Sequence, residues 1–323
     1  MMDVTKETLE DLYTQTLKVR LFEEKVWEVF GRNLIPGTLH LYLGEEAVAA
    51  GVSTALRESD WIQSTHRGHG HVVAKGADMK RAFAELLGKK TGSCKGKGGS
   101  MHITEFEAGI LGATGVVASG LPIAVGAALS AQLRGTDEVV ACFFGDGASN
   151  NGTFCESLNM SAIWKLPVIW VVENNFYAMG TPIKQMCPSQ SIARRGEAYC
   201  IPSQVVDGNN ALKVYKAAAE AVERARNGEG PSLIECQTYR KKGHSRFDPA
   251  DYRPEEEEEE WLSRDPVEII TNLAIEQKAL SKKKAENIRK QLQEQVDEAA
   301  EFAINSEHPE PEEALEDVFA EVA

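Results

Sequence analysis

With 323 residues, the chain is long enough for one large α/β unit or two modest ones. It carries 35 Lys plus Arg against 49 Asp plus Glu, a net charge of −14, so it repels polyphosphate wherever basic groups do not gather, and nucleic acid is not an expected partner. No apolar run approaches the roughly 20 residues of a membrane span, and Asp3, Glu7, Glu10 and Asp11 stand where a leader peptide would be basic. A cytoplasmic protein without membrane contact is the expectation. The six cysteines, at 94, 142, 155, 187, 200 and 236, form no C-x-x-C pair and no zinc spacing with histidine, so reduced, mostly packed thiols are expected.

Leu9, Leu12, Tyr13, Leu17, Leu21, Val26 and Phe30 recur at helical spacing and predict an amphipathic helix over 5–30, a covering element. Further helices are predicted over 45–56 and over 79–87, the latter started by Asp78 and stopped by Gly88. The stretch 92–120 is too rich in glycine for a regular element and is expected to be loop. Beyond it, a helix over 122–133, an apolar run over 138–144, a helix over 154–164 and a second apolar run over 168–172 follow in order. Strands without polar alternation indicate a parallel sheet covered on both faces. Val205–Val206, a helix over 211–226 and a run over 232–238 extend it. The fold class is therefore α/β, a doubly wound parallel sheet, expected as a single domain. A helical extension spans about 1–60, the α/β core about 61–245 and a helical C-terminal part about 255–323. Glu255–Glu260 after Pro254 suit a solvated helix start.

The first apolar strand ends in Gly145-Asp146-Gly147-Ala148 and the second in Glu173-Asn174-Asn175-Phe176-Tyr177. In a doubly wound sheet ligands bind outside the carboxyl ends of the strands, so both tips open onto one crevice. Magnesium takes oxygen ligands in near-octahedral geometry, and the Asp146 carboxylate with the Asn175 amide leaves positions for water and diphosphate oxygens. Gly145 and Gly147 let backbone approach a phosphate, with the N–H groups of Gly147 and Ala148, expected at a helix start, pointing at it. The Gly-Lys stretch 88–99 contains no G-x-x-x-x-G-K-[ST], so it is expected to be a mobile active-site or interface loop and not a P-loop.

The segments G-D-G-A-S-N-N-G-T-F, E-S-L-N-M-S-A-I-W-K-L-P-V and V-E-N-N-F-Y-A-M-G resemble the alpha subunits of thiamine diphosphate (TPP)-dependent 2-oxoacid and acetoin dehydrogenases. H-L-Y-L-G-E-E-A, H-R-G-H-G, G-K-G-G-S-M-H, V-D-G and the 239–249 loop resemble that family in the same order, covering roughly 5–305. The resemblance implies a TPP diphosphate-binding fold. It also implies metal ligation by Asp146, Asn175 and the Tyr177 backbone carbonyl, and diphosphate contact by Arg67, with His66 standing where many relatives carry Tyr. Gly115 and Val117 match backbone contacts to the aminopyrimidine, Val117 at the residue around which the cofactor bends. His244 resembles the active-site loop histidine and His40 one lining the substrate channel. Ser245 matches a position phosphorylated in animal relatives.

TPP chemistry also needs a carboxylate beside the aminopyrimidine, carried in this family by a separate α/β unit. The resemblance thus implies a beta subunit in an α2β2 assembly and transfer of a two-carbon unit to the lipoyl group of an acyltransferase. S-T-H-R-G-H-G-H and C-F-F-G-D-G are more similar to acetoin than to pyruvate or branched-chain 2-oxoacid dehydrogenase alpha subunits. Those two remain rivals, with the N-terminal half of a split transketolase and a catalytically silent scaffold as distant alternatives.

Overall fold

Strands form where the apolar runs predict them, and further short ones form where no run is visible. The computed structural model describes residues 4–317 and residue 319; the end of the acidic tail lies outside these. The strands are β1 Trp61–Gln63, β2 Ile110–Gly112, β3 Val140–Gly145, β4 Val168–Asn174, β5 Tyr177–Ala178, β6 Thr181–Pro182, β7 Ser203–Asp207 and β8 Ser232–Gln237. Six of them make one sheet in the order β2-β1-β3-β4-β8-β7, with every pairing parallel. The remaining two, β5 and β6, form a small antiparallel hairpin. The helices are α1 Lys6–Gly31, α2 Glu46–Ala55, α3 His69–Lys75, α4 Met79–Leu86, α5 Gly120–Arg134, α6 Gly152–Ile163, α7 Ile183–Met186, α8 Ala193–Gly196, α9 Ala211–Arg226, α10 Glu255–Leu262, α11 Pro266–Glu276 and α12 Lys282–Asn305.

The central strands are apolar throughout because both faces are covered. Ala141 and Phe143 of β3, Ile169 and Val171 of β4, and Ile234 of β8 share one core with α1, α2 and α9. The alternate residues Val140, Cys142, Phe144, Val168, Trp170 and Val172 share the other with Leu121, Val125, Phe154 and Leu158 of α5 and α6. This is the period-2 pleat with an apolar neighbour on either side. Helix starts follow their side chains: Thr5, Asp78, Asn151, Asn210 and Ser281 each accept a backbone N–H of the first turn.

Several expectations need correction. At three residues each, β1 and β2 are too short to show periodicity, and β2 lies within the stretch expected to be loop throughout. A seven-residue helix, α3, occupies the histidine-rich segment. Gly147 and Ala148 lie in the first turn of a short 3-10 helix, Asp146–Asn150, and not of the following α-helix, which begins at Gly152 after the Asn151 cap. All six cysteines are free and mostly packed, as expected: Cys142, Cys187 and Cys236 are buried and Cys94 half-buried, while Cys155 and Cys200 are exposed.

The glycine–lysine loop is held in place from both sides. The Glu85 carboxylate, buried at the end of α4, accepts the backbone N–H groups of Cys94 (2.8 Å), Gly96 (2.9 Å), Gly98 (2.7 Å) and Gly99 (3.1 Å). Gly96 sits at φ +77°, where a Cβ would lie 2.7 Å from the Gly88 backbone, so the loop can close on Glu85 only with glycine there. On the outside, Lys90 pairs with Glu313 (2.6 Å), and Lys95 and Lys97 both pair with Asp317 (2.9 Å). Replacing Glu85 by Ala is expected to lower stability by at least about 2 kcal/mol, because one charged acceptor serves four donors. Urea unfolding measures the loss, and hydrogen exchange is expected to accelerate at residues 94–99.

Candidate active site

The connections leaving β1 and β3 run to opposite sides: β1 leads to β2 on its outer side, whereas β3 leads to β4 in the other direction. The carboxyl ends of these two neighbours therefore open a crevice at the point where strand order reverses. A cavity of about 380 Å³ lies there. Ser64–Arg67 after β1, Thr114–Ala118 after β2, Gly145–Ala148 after β3, Asn175 and Tyr177 after β4, and Arg240 and His244 after β8 line it. Five of the six strands of the sheet, all but β7, contribute their tips, because parallel pairing brings the tips to one edge.

All twelve residues singled out in the sequence (His40, His66, Arg67, Gly115, Val117, Gly145, Asp146, Gly147, Ala148, Asn175, Tyr177 and His244) line this one cavity. Asp146 is buried, and its Oδ2 has no hydrogen-bond partner. Removal from water lifts its carboxyl to about 6, against a weaker pull downward from the Gly147 N–H. A buried carboxylate oxygen without a donor is a place for a cation. Asn175 donates Nδ2 to Glu45 Oε1 at 2.9 Å, and its amide oxygen accepts the Tyr177 N–H at 3.4 Å, a long bond that leaves a lone pair for a further partner. The carboxylate and amide oxygens fit a hard divalent ion such as magnesium. Around the third expected ligand, Arg240 approaches the Tyr177 carbonyl at 3.5 Å and the Met179 carbonyl at 3.1 Å.

Arg67 and Arg240 bring positive charge into the same space. Arg67 is 5% exposed, donates to the carbonyls of Leu41 (2.5 Å) and His244 (3.1 Å), and lies 3.4 Å from Glu45 Oε2. Burial and Arg240 bring its guanidinium down to about 10, which leaves it charged at neutral pH. Arg240 is 1% exposed and keeps Nε and Nη1 without partners, two N–H groups suited to an anion. Glu45 is pushed up to about 7, first by burial and then by Glu173. Glu173 in turn accepts from the Tyr42 hydroxyl and lies 2.8 Å from His71 Nε2, whose Nδ1 meets Ser64 Oγ at 2.8 Å.

Six of the seven histidines, all but His308, divide into two groups. Those at 69, 71 and 102 serve packing: His69 bridges Glu23 and Ser100, both at 2.8 Å, and His102 Nε2 takes the Gly115 N–H at 3.3 Å. His40, His66 and His244 face the cavity, with ring centroids 4.8, 4.8 and 5.5 Å apart. Burial first and Arg67 second depress them to about 3, 2 and 4, so all three are neutral at physiological pH. Glu45, Glu173 and Arg240 were not singled out in the sequence. Glu45 stands in H-L-Y-L-G-E-E-A and Glu173 beside Asn175, but an acidic residue in a motif does not reveal that it is buried.

Oxygen donors for a cation and guanidinium donors for an anion, converging at the switch point of a parallel sheet, describe a cofactor-dependent α/β enzyme. The dehydrogenase E1 component family matches residues 13–312. The alpha subunit of acetoin:2,6-dichlorophenolindophenol oxidoreductase of Bacillus subtilis (strain 168) is 47% identical over 319 residues, 98% of this chain and 95% of that protein. Its Cupriavidus necator counterpart is 42% identical over 98% of this chain and 96% of its own length. Pyruvate dehydrogenase E1 component subunit alpha-3, chloroplastic, of Arabidopsis thaliana is 42% identical over 98% of this chain and 76% of its own. The chain belongs to the dehydrogenase E1 family, as a TPP-dependent oxidoreductase of the alpha-subunit type. Among the described residues no helix is long and apolar enough to cross a membrane.

The depressed histidines set an acid limit on stability. Their folded pKa values lie below the unfolded value, so their contribution is present above about 6.5 and is lost as pH falls toward 4 and below. Replacing the mostly buried His66 by Asn is expected to flatten the stability profile between pH 6 and 4 by up to about 1.4 kcal/mol per pH unit. Urea midpoints measured at half-unit pH steps on both proteins check this.

Proposed function

We propose that this chain is the alpha subunit of an acetoin-cleaving dehydrogenase that holds thiamine diphosphate through Mg2+. The partnerless, buried Oδ2 of Asp146 in a cavity that also holds two buried arginines carries the reading. Asp146, the Asn175 amide oxygen and the Tyr177 carbonyl would hold the metal. Arg67, Arg240 and the backbone of Gly145–Ala148 would hold the diphosphate, and Gly115 and Val117 the aminopyrimidine. The Gly115 N–H is already taken by His102, which leaves its carbonyl for the ring. Bound there, the cofactor supplies the electron sink for breaking a carbon–carbon bond beside a carbonyl.

The chain's own groups favour an uncharged substrate. His40, His66 and His244 are neutral, so they offer donors and acceptors to a carbonyl and a hydroxyl, and hold or move a proton between ring nitrogens and substrate oxygen. A 2-oxoacid would need a cation for its carboxylate, and the two arginines of the cavity are assigned to the diphosphate. Similarity to two acetoin oxidoreductase alpha subunits agrees. The 42% identity to the plant pyruvate dehydrogenase subunit keeps pyruvate as the second reading, with branched-chain 2-oxoacids behind it.

The carboxylates lining the cavity are Glu45, Asp146 and Glu173, and each has a task here: Glu45 with Asn175 and Arg67, Glu173 with Tyr42 and His71, Asp146 with the metal. A beta subunit would therefore bring the carboxylate for the aminopyrimidine, in an α2β2 enzyme that passes its two-carbon product to the lipoyl group of an acyltransferase in the cytoplasm. Val116 and Val117, 66% and 55% exposed at the rim, are where such a partner would close the site.

Mixed with a beta subunit of the same family, TPP and Mg2+, the chain is expected to reduce 2,6-dichlorophenolindophenol with acetoin. The kcat/KM is expected to be at least about tenfold above that for pyruvate or branched 2-oxoacids, a difference of about 1.4 kcal/mol. Preference for pyruvate would overturn the substrate assignment, and turnover by the alpha chain alone would overturn the shared site. Asp146→Ala is expected to abolish Mg2+-dependent TPP binding in calorimetry while the chain stays folded.

A further inference from the structure

The loop 88–99 carries Lys89, Lys90, Lys95 and Lys97, like charges that repel one another at short range. Each of these lysines is met by the segment 306–317. Lys89 Nζ donates to the Ser306 carbonyl at 2.9 Å, and Lys90 Nζ lies 2.6 Å from Glu313. Lys95 and Lys97 share Asp317, each at 2.9 Å, and Lys97 Nζ also donates to the Glu316 carbonyl at 2.8 Å. The turn that Asp317 spans is left-handed at both Lys95 (φ +56°) and Gly96 (φ +77°). A residue with a side chain adopts that conformation reluctantly, so Asp317 pins a turn that Lys95 by itself disfavours.

The other end of the loop reaches the cavity. Ser100 is buried with its Oγ 2.8 Å from His69 Nε2, and Met101 lines the cavity. A Cβ on Gly98 would lie 2.4 Å from the His102 carbonyl oxygen, so the loop is packed directly on the residue whose Nε2 takes the N–H of Gly115, itself in the cavity wall.

We propose that residues 306–317 are an ionic latch for the cavity. By neutralising the lysines of 88–99 they hold Ser100, Met101 and His102 in place against Gly115, and ionic strength sets how firmly. The effect on cofactor affinity rests on the proposed function, in which Gly115 meets the aminopyrimidine; the effect on the cavity wall does not. Glu313 and Asp317 touch no ligand and act as positioning residues. Lys95 and Asp317 are half-exposed, so salt screens their attraction, and each such pair alone contributes little. What the latch governs is therefore local opening of the loop and not global stability, because Glu85 still grips the inner side.

The test measures hydrogen exchange on the full chain. At about 20 mM salt, Asp317→Lys is expected to speed exchange of the amides of 97–102 and of Gly115 about fivefold, with the urea midpoint unchanged. Adding Lys95→Glu and Lys97→Glu to Asp317→Lys reverses both signs and is expected to restore slow exchange. Salt at about 0.5 M is expected to speed exchange in the parent chain but not to speed it further in Asp317→Lys. Mg2+-dependent TPP binding, followed by calorimetry at low salt, is expected to weaken at least about threefold in Asp317→Lys. Parent-like exchange in Asp317→Lys, a faster loop with Gly115 unchanged, or failure of the reversed pair to restore protection would each overturn the latch. Exchange needs no cofactor, so a parent chain that binds no TPP would sink the functional reading while the exchange rates still decide this one.

Discussion

The site depends on the reversal of strand order between β1 and β3. Parallel strands all end on the same edge, so side chains just past each tip converge without any long loop to carry them. Where consecutive connections run in opposite directions, the loops part and leave room. Residues distant in sequence, from His40 to His244, thereby face one cavity of about 380 Å³. The two apolar cores on either face hold the strands at fixed register, β3 and β4 pairing from Val140 with Val168 to Gly145 with Glu173. Because the tips are rigid, Asp146 and Asn175 are positioned before any ligand arrives.

Unscreened charge is the cost of that arrangement, and the chain manages it in pairs. Glu45 faces Arg67 and Asn175, Glu173 faces Tyr42 and His71, and Glu23 faces His69 and the Tyr42 N–H. Each such pair contributes little net stability, because desolvation offsets attraction, but breaking one leaves a buried charge alone. What is left unpaired is therefore informative. Among the buried polar atoms without a partner, Asp146 Oδ2, His40 Nδ1 and two nitrogens of Arg240 belong to residues that line the cavity.

Much of this was legible in the sequence. The apolar runs at 138–144 and 168–172 and the polar tips after them define the sheet and its open edge, and the tips name Asp146 and Asn175 directly. Short elements were not legible: β1, β2 and α3 span three to seven residues, two repeats of their period at most, too few to stand out, and contacts with longer neighbours stabilise them. Nor were Glu45, Glu173 and Arg240, since charge in a sequence gives no depth and these three are buried only because α2, β4 and β8 meet at the crevice. What holds the glycine–lysine loop was hidden for a related reason. Its backbone is gathered by one carboxylate, Glu85, that no local pattern connects to it.

That loop is also clasped from far along the chain. Lys89 Nζ reaches the Ser306 carbonyl at 2.9 Å across 217 residues, and the Lys90 N–H meets the Glu307 carbonyl at 3.0 Å. On the ribosome these partners emerge long after the loop itself, when the whole sheet has already left the exit tunnel. Maturation of this corner is thus ordered in time: Glu85 can gather the loop from within before the outer clasp, which waits for residues 306 and 307 to be made.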